Sequence, residues 1–185
     1  MIDLKPIETR YAGCHFRSRI EARWGVFFDY LGIGWEYEPQ GFDLPSGPYL
    51  PDFLLDFKAR PGELMAGEPV PDGLWWEVKG AAPTRHERNL CWELLEATNQ
   101  HVYIAHGAIP RDRLDDPRIE HVGSTKVRWF IRPGSIGFIP DLPGFDQSGT
   151  GHPLLLEAFQ AARSARFEHG EAPSVRERES AGVVP

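Results

Sequence analysis

Two stretches of alternating apolar and polar residues predict neighbouring β-strands. In residues 49–57, Asp52 falls on the face opposite the one that carries mostly aromatic side chains. In residues 74–79, Glu77 and Lys79 share one face, and the large apolar residues alternate with them. If the two strands pair, two carboxylates and one ammonium group meet at one place.

Apolar residues at helical spacing predict three helices, over residues 16–31, 84–98 and 152–168. The second has a clear start, because Thr84 is a good N-cap and Glu87 stands three residues later, as in a capping box. A strand over residues 101–105 follows this helix and completes a βαβ-like crossover with the strand at 74–79. Weaker strands are predicted at residues 35–38, 118–121 and 126–131. Residues 1–15 are expected to form an irregular lead-in.

The composition suits one α/β domain. A chain of 185 residues with 41% hydrophobic content can bury one core, so we expect a single domain over residues 1–169. Residues 170–185 alternate charged and small residues and are expected to be disordered. The net charge of −7 argues against a protein that coats nucleic acid by bulk electrostatics. Any contact with DNA therefore depends on local basic patches and on metal ions.

The two cysteines and the hydropathy restrict the setting. Cys14 and Cys91 are too few for a disulfide framework and lack the spacing of a zinc site, which suits a reducing cytoplasm. No apolar run approaches the length of a membrane span. We therefore expect a cytoplasmic protein without a membrane partner.

The three polar residues at the predicted strand pair suit phosphodiester hydrolysis. Carboxylates such as Asp52 and Glu77 are hard ligands for Mg²⁺ or Mn²⁺. An ammonium group such as that of Lys79 can stabilise the charge that develops on phosphorus and can hold or deprotonate the attacking water. The residues alone are weak evidence, because similar pairs of an acid and a lysine occur elsewhere in the chain.

The order Pro51-Asp52, then Glu77-Val78-Lys79, resembles the PD-(D/E)XK nuclease superfamily. Residues 16–53 add further strings similar to the small phage and prophage members, and the resemblance extends to about residue 107. It implies a restriction-endonuclease-like fold, which is a mixed central β-sheet flanked by helices. It also implies a Mg²⁺-dependent deoxyribonuclease, with Mn²⁺ able to substitute, that leaves 5′-phosphate and 3′-hydroxyl ends. The implied ligands are Asp52, Glu77 and the carbonyl of Val78, with Lys79 beside the attacking water.

The resemblance also bears on the partners and on the first helix. It implies DNA as the substrate, with a second copy of the chain or phage replication and recombination proteins as further partners in a bacterial host. Periodicity places Glu21 at the edge of the apolar stripe of the first helix and Arg17 within that stripe near Trp24. On the helix alone, Arg17 and Glu21 are an ordinary i, i+4 ion pair. The resemblance instead implies that Glu21 is a supporting acid, and Arg17 is a candidate phosphate ligand.

Other candidate residues lie near the second helix. Arg85 and Arg88 at its N-terminus, together with the helix dipole, form a candidate phosphate seat, and ordinary surface charge is an equally good interpretation. Trp75 could stack on a base but is expected to pack under the first helix. A different class of function is a nuclease-fold module that binds DNA or a protein without cutting. The joint presence of Asp52, Glu77 and Lys79 favours catalysis.

Overall fold

The computed structural model of this chain describes residues 7–56, 73–112, 116–123 and 153–167 with their side chains. It describes the backbone alone of residues 64–65, 68–69, 127–132 and 135–140. The predicted C-terminal tail, residues 170–185, lies outside the described residues. In chain order the elements are β1 (Thr9–Tyr11), β2 (Cys14–Phe16), α1 (Arg19–Leu31), β3 (Gly34–Tyr37), β4 (Phe42–Leu44), β5 (Gly47–Tyr49), β6 (Phe53–Asp56), β7 (Leu64–Met65), β8 (Glu68–Pro69), β9 (Gly73–Lys79), α2 (Arg85–Thr98), β10 (Val102–His106), β11 (Ile119–Val122), β12 (Val127–Arg132), β13 (Ser135–Pro140) and α3 (Pro153–Ser164).

The core element is a five-stranded sheet with the strand order β11-β10-β9-β6-β3. Strands β9 and β10 are parallel, and each of the other neighbouring pairs is antiparallel. The described part of the chain is therefore a mixed α/β structure with a mixed central sheet and three helices, which confirms the predicted fold class at this level. None of the described helices is long and apolar enough to cross a membrane.

Helix α2 connects the two parallel strands, as the sequence predicts. Its N-cap is Thr84, whose hydroxyl accepts a hydrogen bond from the backbone N–H of Glu87 at 3.2 Å. The Glu87 carboxylate in turn accepts from the backbone N–H of Thr84 at 2.7 Å, which completes the capping box. Only residues 80–83 separate β9 from this cap, and Nζ of Lys79 lies 3.9 Å from Oε1 of Glu87, so the N-terminus of α2 lies close to the carboxyl end of β9.

One face of the sheet is covered by an aromatic core under α1 and α3. The Trp24 ring of α1 lies 4.8 Å from the Trp76 ring of β9, and Phe27 lies 4.7 Å from Phe159 of α3. The side chains concerned are at most 1% exposed. Removing aromatic area of this size from water is the main source of stability in such a core, and it holds α1 in place on the sheet.

The opposite face of the sheet packs against α2. Trp75 lies in this second cluster with Leu90, Cys91 and Leu94, and its indole N–H donates to the hydroxyl of Thr98 at 3.3 Å. The prediction that Trp75 packs under the first helix is therefore wrong. Strand alternation correctly separates Trp75 from Trp76, but it does not say which helix covers which face.

Two predictions about the first helix and the N-terminal segment are also wrong. Helix α1 begins at Arg19 with Ser18 as its N-cap, so Arg17 precedes the helix and does not lie in its apolar stripe. Phe16, which the periodicity assigns to the helix, ends strand β2 of a hairpin that starts at Thr9, where an irregular lead-in is expected; residues 1–6 of that lead-in lie outside the described residues. The hairpin turn has positive φ at Ala12 and Gly13, of which glycine is the residue that adopts it without strain.

The predicted strand over residues 49–57 is divided in two. Tyr49 belongs to β5, which pairs with β4 in a separate hairpin, and β6 begins only at Phe53. Pro51 and Asp52 therefore form the approach to a strand that lies inside the sheet between β3 and β9.

Both cysteines, Cys14 and Cys91, are free thiols.

Candidate active site

Asp52 and Glu77 stand side by side where β6 begins and β9 approaches its end. Phe53 pairs with Trp76 in the antiparallel ladder, so the next step along both strands brings Asp52 opposite Glu77. The backbone N–H of Asp52 donates to Oε2 of Glu77 at 3.2 Å, and the N–H of Val78 donates to Oδ2 of Asp52 at 2.7 Å. The two acids are only 1% and 2% exposed. The structure thus brings together the two carboxylates among the three predicted metal ligands.

Lys79 joins the pair from the same face of β9. Its Nζ lies 2.5 Å from Oε1 of Glu77 and 3.9 Å from Oε1 of Glu87, the capping residue of α2. Burial lowers the pKa of Lys79, but attraction by Glu77, Asp52 and Glu87 outweighs that effect and the net pKa is raised. The amine is therefore held in its charged form, as a donor.

Glu38 extends the row of acids to a third strand, and sequence analysis missed it. Tyr37 of β3 pairs with Phe53, and the backbone N–H of Glu38 donates to the carbonyl of Asp52 at 2.8 Å. Glu38 has a φ of +47°, which is uncommon outside glycine. Alternation along β3 favours a solvent-facing glutamate, and this left-handed residue departs from that alternation. Pro39 directly after Glu38 is the only sequence signal that the strand ends here.

Arg17 spans Glu38, which follows β3, and Asp52, which precedes β6. Its Nη2 lies 2.6 Å from Oδ1 of Asp52, and its Nε lies 2.6 Å from Oε1 of Glu38. Its guanidinium therefore pairs with these two acids, and the expected i, i+4 ion pair with Glu21 is replaced by a bond from the Arg17 backbone N–H to Glu21 at 3.1 Å. Hydrogen bonding and attraction by its neighbours outweigh burial and raise the pKa of Arg17.

Glu21 reaches the same place from the first turn of α1. Its side chain accepts hydrogen bonds of 2.6 Å from the hydroxyl of Tyr37 and 2.6 Å from that of Ser18, the N-cap. Only 7% of the residue is exposed. Glu21 thus ties the start of α1 to β3, and it contributes to the electrostatic field at Asp52.

The electrostatics of the site are unbalanced. Burial, then Glu77, then Glu21 raise the pKa of Asp52 well above its usual range, although the Val78 N–H and Lys79 oppose the shift. Arg17 and Lys79 supply two formal positive charges. The acids that supply four formal negative charges are Glu21, Glu38, Asp52 and Glu77. Glu87, 3.9 Å from Lys79, adds a fifth acid, so the cluster is net negative and favours a bound cation.

The donor set fits Mg²⁺ or Mn²⁺. Asp52 and Glu77 offer hard carboxylate oxygens within one hydrogen-bonded unit, and the carbonyl of Val78 belongs to the same strand. Mg²⁺ takes few protein ligands and keeps several waters, so two carboxylates are a sufficient protein contribution. Within the described ranges, no three His, Cys, Asp or Glu side chains converge as a complete ligand group.

Tyr49 forms the wall behind Glu77, and it too escaped sequence analysis. Its hydroxyl lies 3.3 Å from Sγ of the buried Cys91 on α2. Burial, followed by the charge of Glu77, raises the pKa of Tyr49, so the phenol is a neutral donor or acceptor beside the acid. A tyrosine in an alternating strand gives no sequence signal of such a contact.

The predicted phosphate seat at the start of α2 is only partly open. Arg88 pairs with Glu120 of β11 through contacts of 2.8 and 2.9 Å and donates to the carbonyl of Pro83 at 2.6 Å. Arg85 is exposed to solvent at the first position of the helix. Of the two predicted DNA-binding residues on α2, Arg85 alone is thus exposed without a described ion pair.

Comparison with known proteins adds no identification. No protein-family model matches the chain, and neither the curated proteins nor the solved structures contain a significant match.

Proposed function

We propose that the protein is a metal-dependent DNA nuclease of restriction-endonuclease-like fold that hydrolyses phosphodiester bonds. The proposal rests on one observation: the buried carboxylates of Asp52 and Glu77 face each other across two strands, with the Lys79 ammonium 2.5 Å from Glu77. Burying charges in this way costs stability, and groups of this kind cluster at sites whose chemistry needs them. The mixed sheet and the order of the motifs along the chain support the same proposal.

Asp52, Glu77 and the carbonyl of Val78 would hold the cation. Such an ion would supply charge stabilisation at the phosphate and would lower the pKa of a water molecule. Lys79 is placed to donate hydrogen bonds to the attacking water or to a phosphate oxygen. Because its pKa is raised, its role is that of a donor and charge stabiliser and not that of a general base.

Glu21 and Tyr37 act on the site through the residues that they contact. Glu21 accepts hydrogen bonds from two hydroxyls and one backbone N–H, so it orients Arg17 and the start of α1, and it adds negative potential at Asp52. Arg17 and Arg85 are the candidate contacts to the DNA backbone. We place the reaction in the cytoplasm of a bacterial host, where phage DNA is a fitting substrate.

A catalytically silent DNA- or protein-binding module is the second candidate. The observation that favours it is that Arg17 and Lys79 already pair with the carboxylates of Asp52 and Glu77. A retained ion-pair network of this kind would also persist in a fold that has lost its activity.

Plasmid cleavage separates the two candidates. We expect the wild-type protein to cut plasmid or linear DNA with Mg²⁺ or Mn²⁺ and to stop when the metal is chelated. Asp52→Ala and Lys79→Ala should remove the activity while circular dichroism shows a retained fold. Metal-independent cutting, or cutting that survives both substitutions, would reject the nuclease assignment at this site. Binding of DNA without any cleavage would favour the silent module.

A further inference from the structure

Arg17 is held differently from the other cation of the site. It precedes the N-cap of α1, on the short connection from β2, and 57% of its side chain is exposed. The side chain of its partner Asp52 is only 2% exposed. Lys79, in contrast, is the last residue of β9, and its side chain is 24% exposed. Arg17 therefore reaches a buried acid from the solvent side.

The contact covers one particular oxygen. Oδ2 of Asp52 accepts the backbone N–H of Val78 at 2.7 Å, an interaction fixed by the sheet. Oδ1 is then the oxygen left for a cation, and Nη2 of Arg17 lies 2.6 Å from it. A divalent ion bound to Oδ1 would lie next to a guanidinium of like charge, and this repulsion opposes simultaneous binding, so the two compete for Asp52.

Glu38 gives the guanidinium a second point of attachment. Nε of Arg17 contacts Glu38, while a different nitrogen contacts Asp52. The fork of the guanidinium allows these two contacts to be made and broken separately, which a lysine ammonium cannot do in the same way. Loss of the Asp52 contact therefore need not release Arg17 from the site.

We propose that Arg17 is a displaceable counterion, which neutralises Asp52 in the metal-free protein and yields Oδ1 to the divalent cation. Glu38 then retains the guanidinium beside the site, where its freed N–H groups bind a phosphate oxygen of the DNA. This inference rests on the proposed nuclease function. Its thermodynamic consequence is reciprocal, since the Arg17 contact weakens metal binding by the same factor by which metal weakens the contact.

Calorimetric titration of the full chain with Mn²⁺ alone, without DNA, tests this coupling. Arg17→Gln should bind Mn²⁺ about tenfold more tightly than the wild type, the scale of a typical coupling between competing ligands. The same variant should bind uncleaved DNA in Ca²⁺ more weakly. Arg17→Lys keeps the charge but not the fork, so it should fall between the two, and it covers the case in which Arg17→Gln does not fold.

Arg166→Gln is the matched control, because it removes one exposed positive charge beyond α3. It should leave the affinity for Mn²⁺ unchanged. Unchanged or weaker Mn²⁺ binding in both Arg17 variants, with normal binding by the wild type, would overturn the inference and leave the proposed function standing. Mn²⁺ binding by none of these proteins would overturn both.

Discussion

Two clusters of acids and bases lie on the same sheet, and they differ in burial and in charge balance. Asp52 and Glu77 in the first are almost fully buried. In the second, Arg88 of α2 meets Glu120 of β11, with side chains that are 46% and 29% exposed. His106 lies 3.2 Å from the same glutamate. The comparison shows why an ion pair alone is a poor indicator of function.

The second cluster has the properties of a structural ion pair. One arginine faces one carboxylate in a two-point contact, so the formal charges cancel. Hydrogen bonding to Arg88 lowers the pKa of Glu120, the usual direction for an acid with a partner. At Asp52 the direction is reversed, because burial and neighbouring acids outweigh the cations. A bound metal ion or substrate can offset the repulsion that raises the pKa of such an acid.

The largest expected difference between the two clusters appears when one acid in each is neutralised. Glu77→Gln should reduce Mg²⁺-dependent DNA cleavage by about 10³-fold, since it removes the carboxylate of a proposed metal ligand and the charged partner of Lys79. Glu120→Gln should leave the rate close to that of the wild type, because its described partners are Arg88 and His106 and not the buried acids. Single-turnover cleavage of a labelled duplex measures both. Equal losses in the two variants would mean that the clusters do not differ in function.

An intermediate effect is expected from the supporting acid. Glu21→Gln keeps the size of the side chain but removes its charge and changes its bonds to Tyr37 and Ser18, so cleavage should fall about 10- to 100-fold, the range for groups that orient a metal site. Glu36→Gln, on an exposed position of β3, is the matched control. A rate for Glu21→Gln equal to that of Glu36→Gln would contradict a role for Glu21 in the site.

The smallest effect concerns a third, uncharged pair at the other end of β10. Nδ1 of His101 lies 3.1 Å from Nε2 of His121, and burial, followed by the nearby His101, lowers the pKa of His121 to about 4. Between pH 6.5 and about 4 the unfolded chain therefore binds a proton that the folded chain does not, so acidification costs stability. On acidification, His121→Gln should lose about 1 kcal/mol less folding stability than the wild type. This figure is reduced to allow for the partial exposure of His121.

Urea unfolding across this pH range measures the difference between His121→Gln and the wild type. The difference between the two free energies of unfolding should be smaller at low pH than near neutral pH. Parallel pH profiles would show that His121 titrates normally. Shifted ionisation would then matter at the buried acids and not at His121.

The juxtaposition of Asp52, Glu77 and Lys79 could be predicted because it depends on local rules. Side chains alternate along a strand, and the antiparallel ladder between β6 and β9 converts that alternation into a common face. The capping box at Thr84 is equally local, and it too is confirmed. Features that depend on a few neighbouring residues, or on one strand pair, can therefore be predicted from the sequence.

The rest of the site depends on contacts across the fold. Arg17 meets Asp52 across 35 positions of sequence because a hairpin, and not a longer helix, precedes α1. Glu38 reaches the site through a left-handed backbone conformation that alternation does not predict. The helix that covers Trp75 is set by the crossover of the chain, which the pattern within one strand does not contain.

The most direct test is to locate the cation by anomalous scattering from crystals soaked with Mn²⁺. We predict one peak in contact with the carboxylates of Asp52 and Glu77, and no such peak in Asp52→Asn crystals prepared in the same way. A peak that persists in Asp52→Asn, or Mn²⁺ bound only elsewhere on the wild-type protein, would contradict the account.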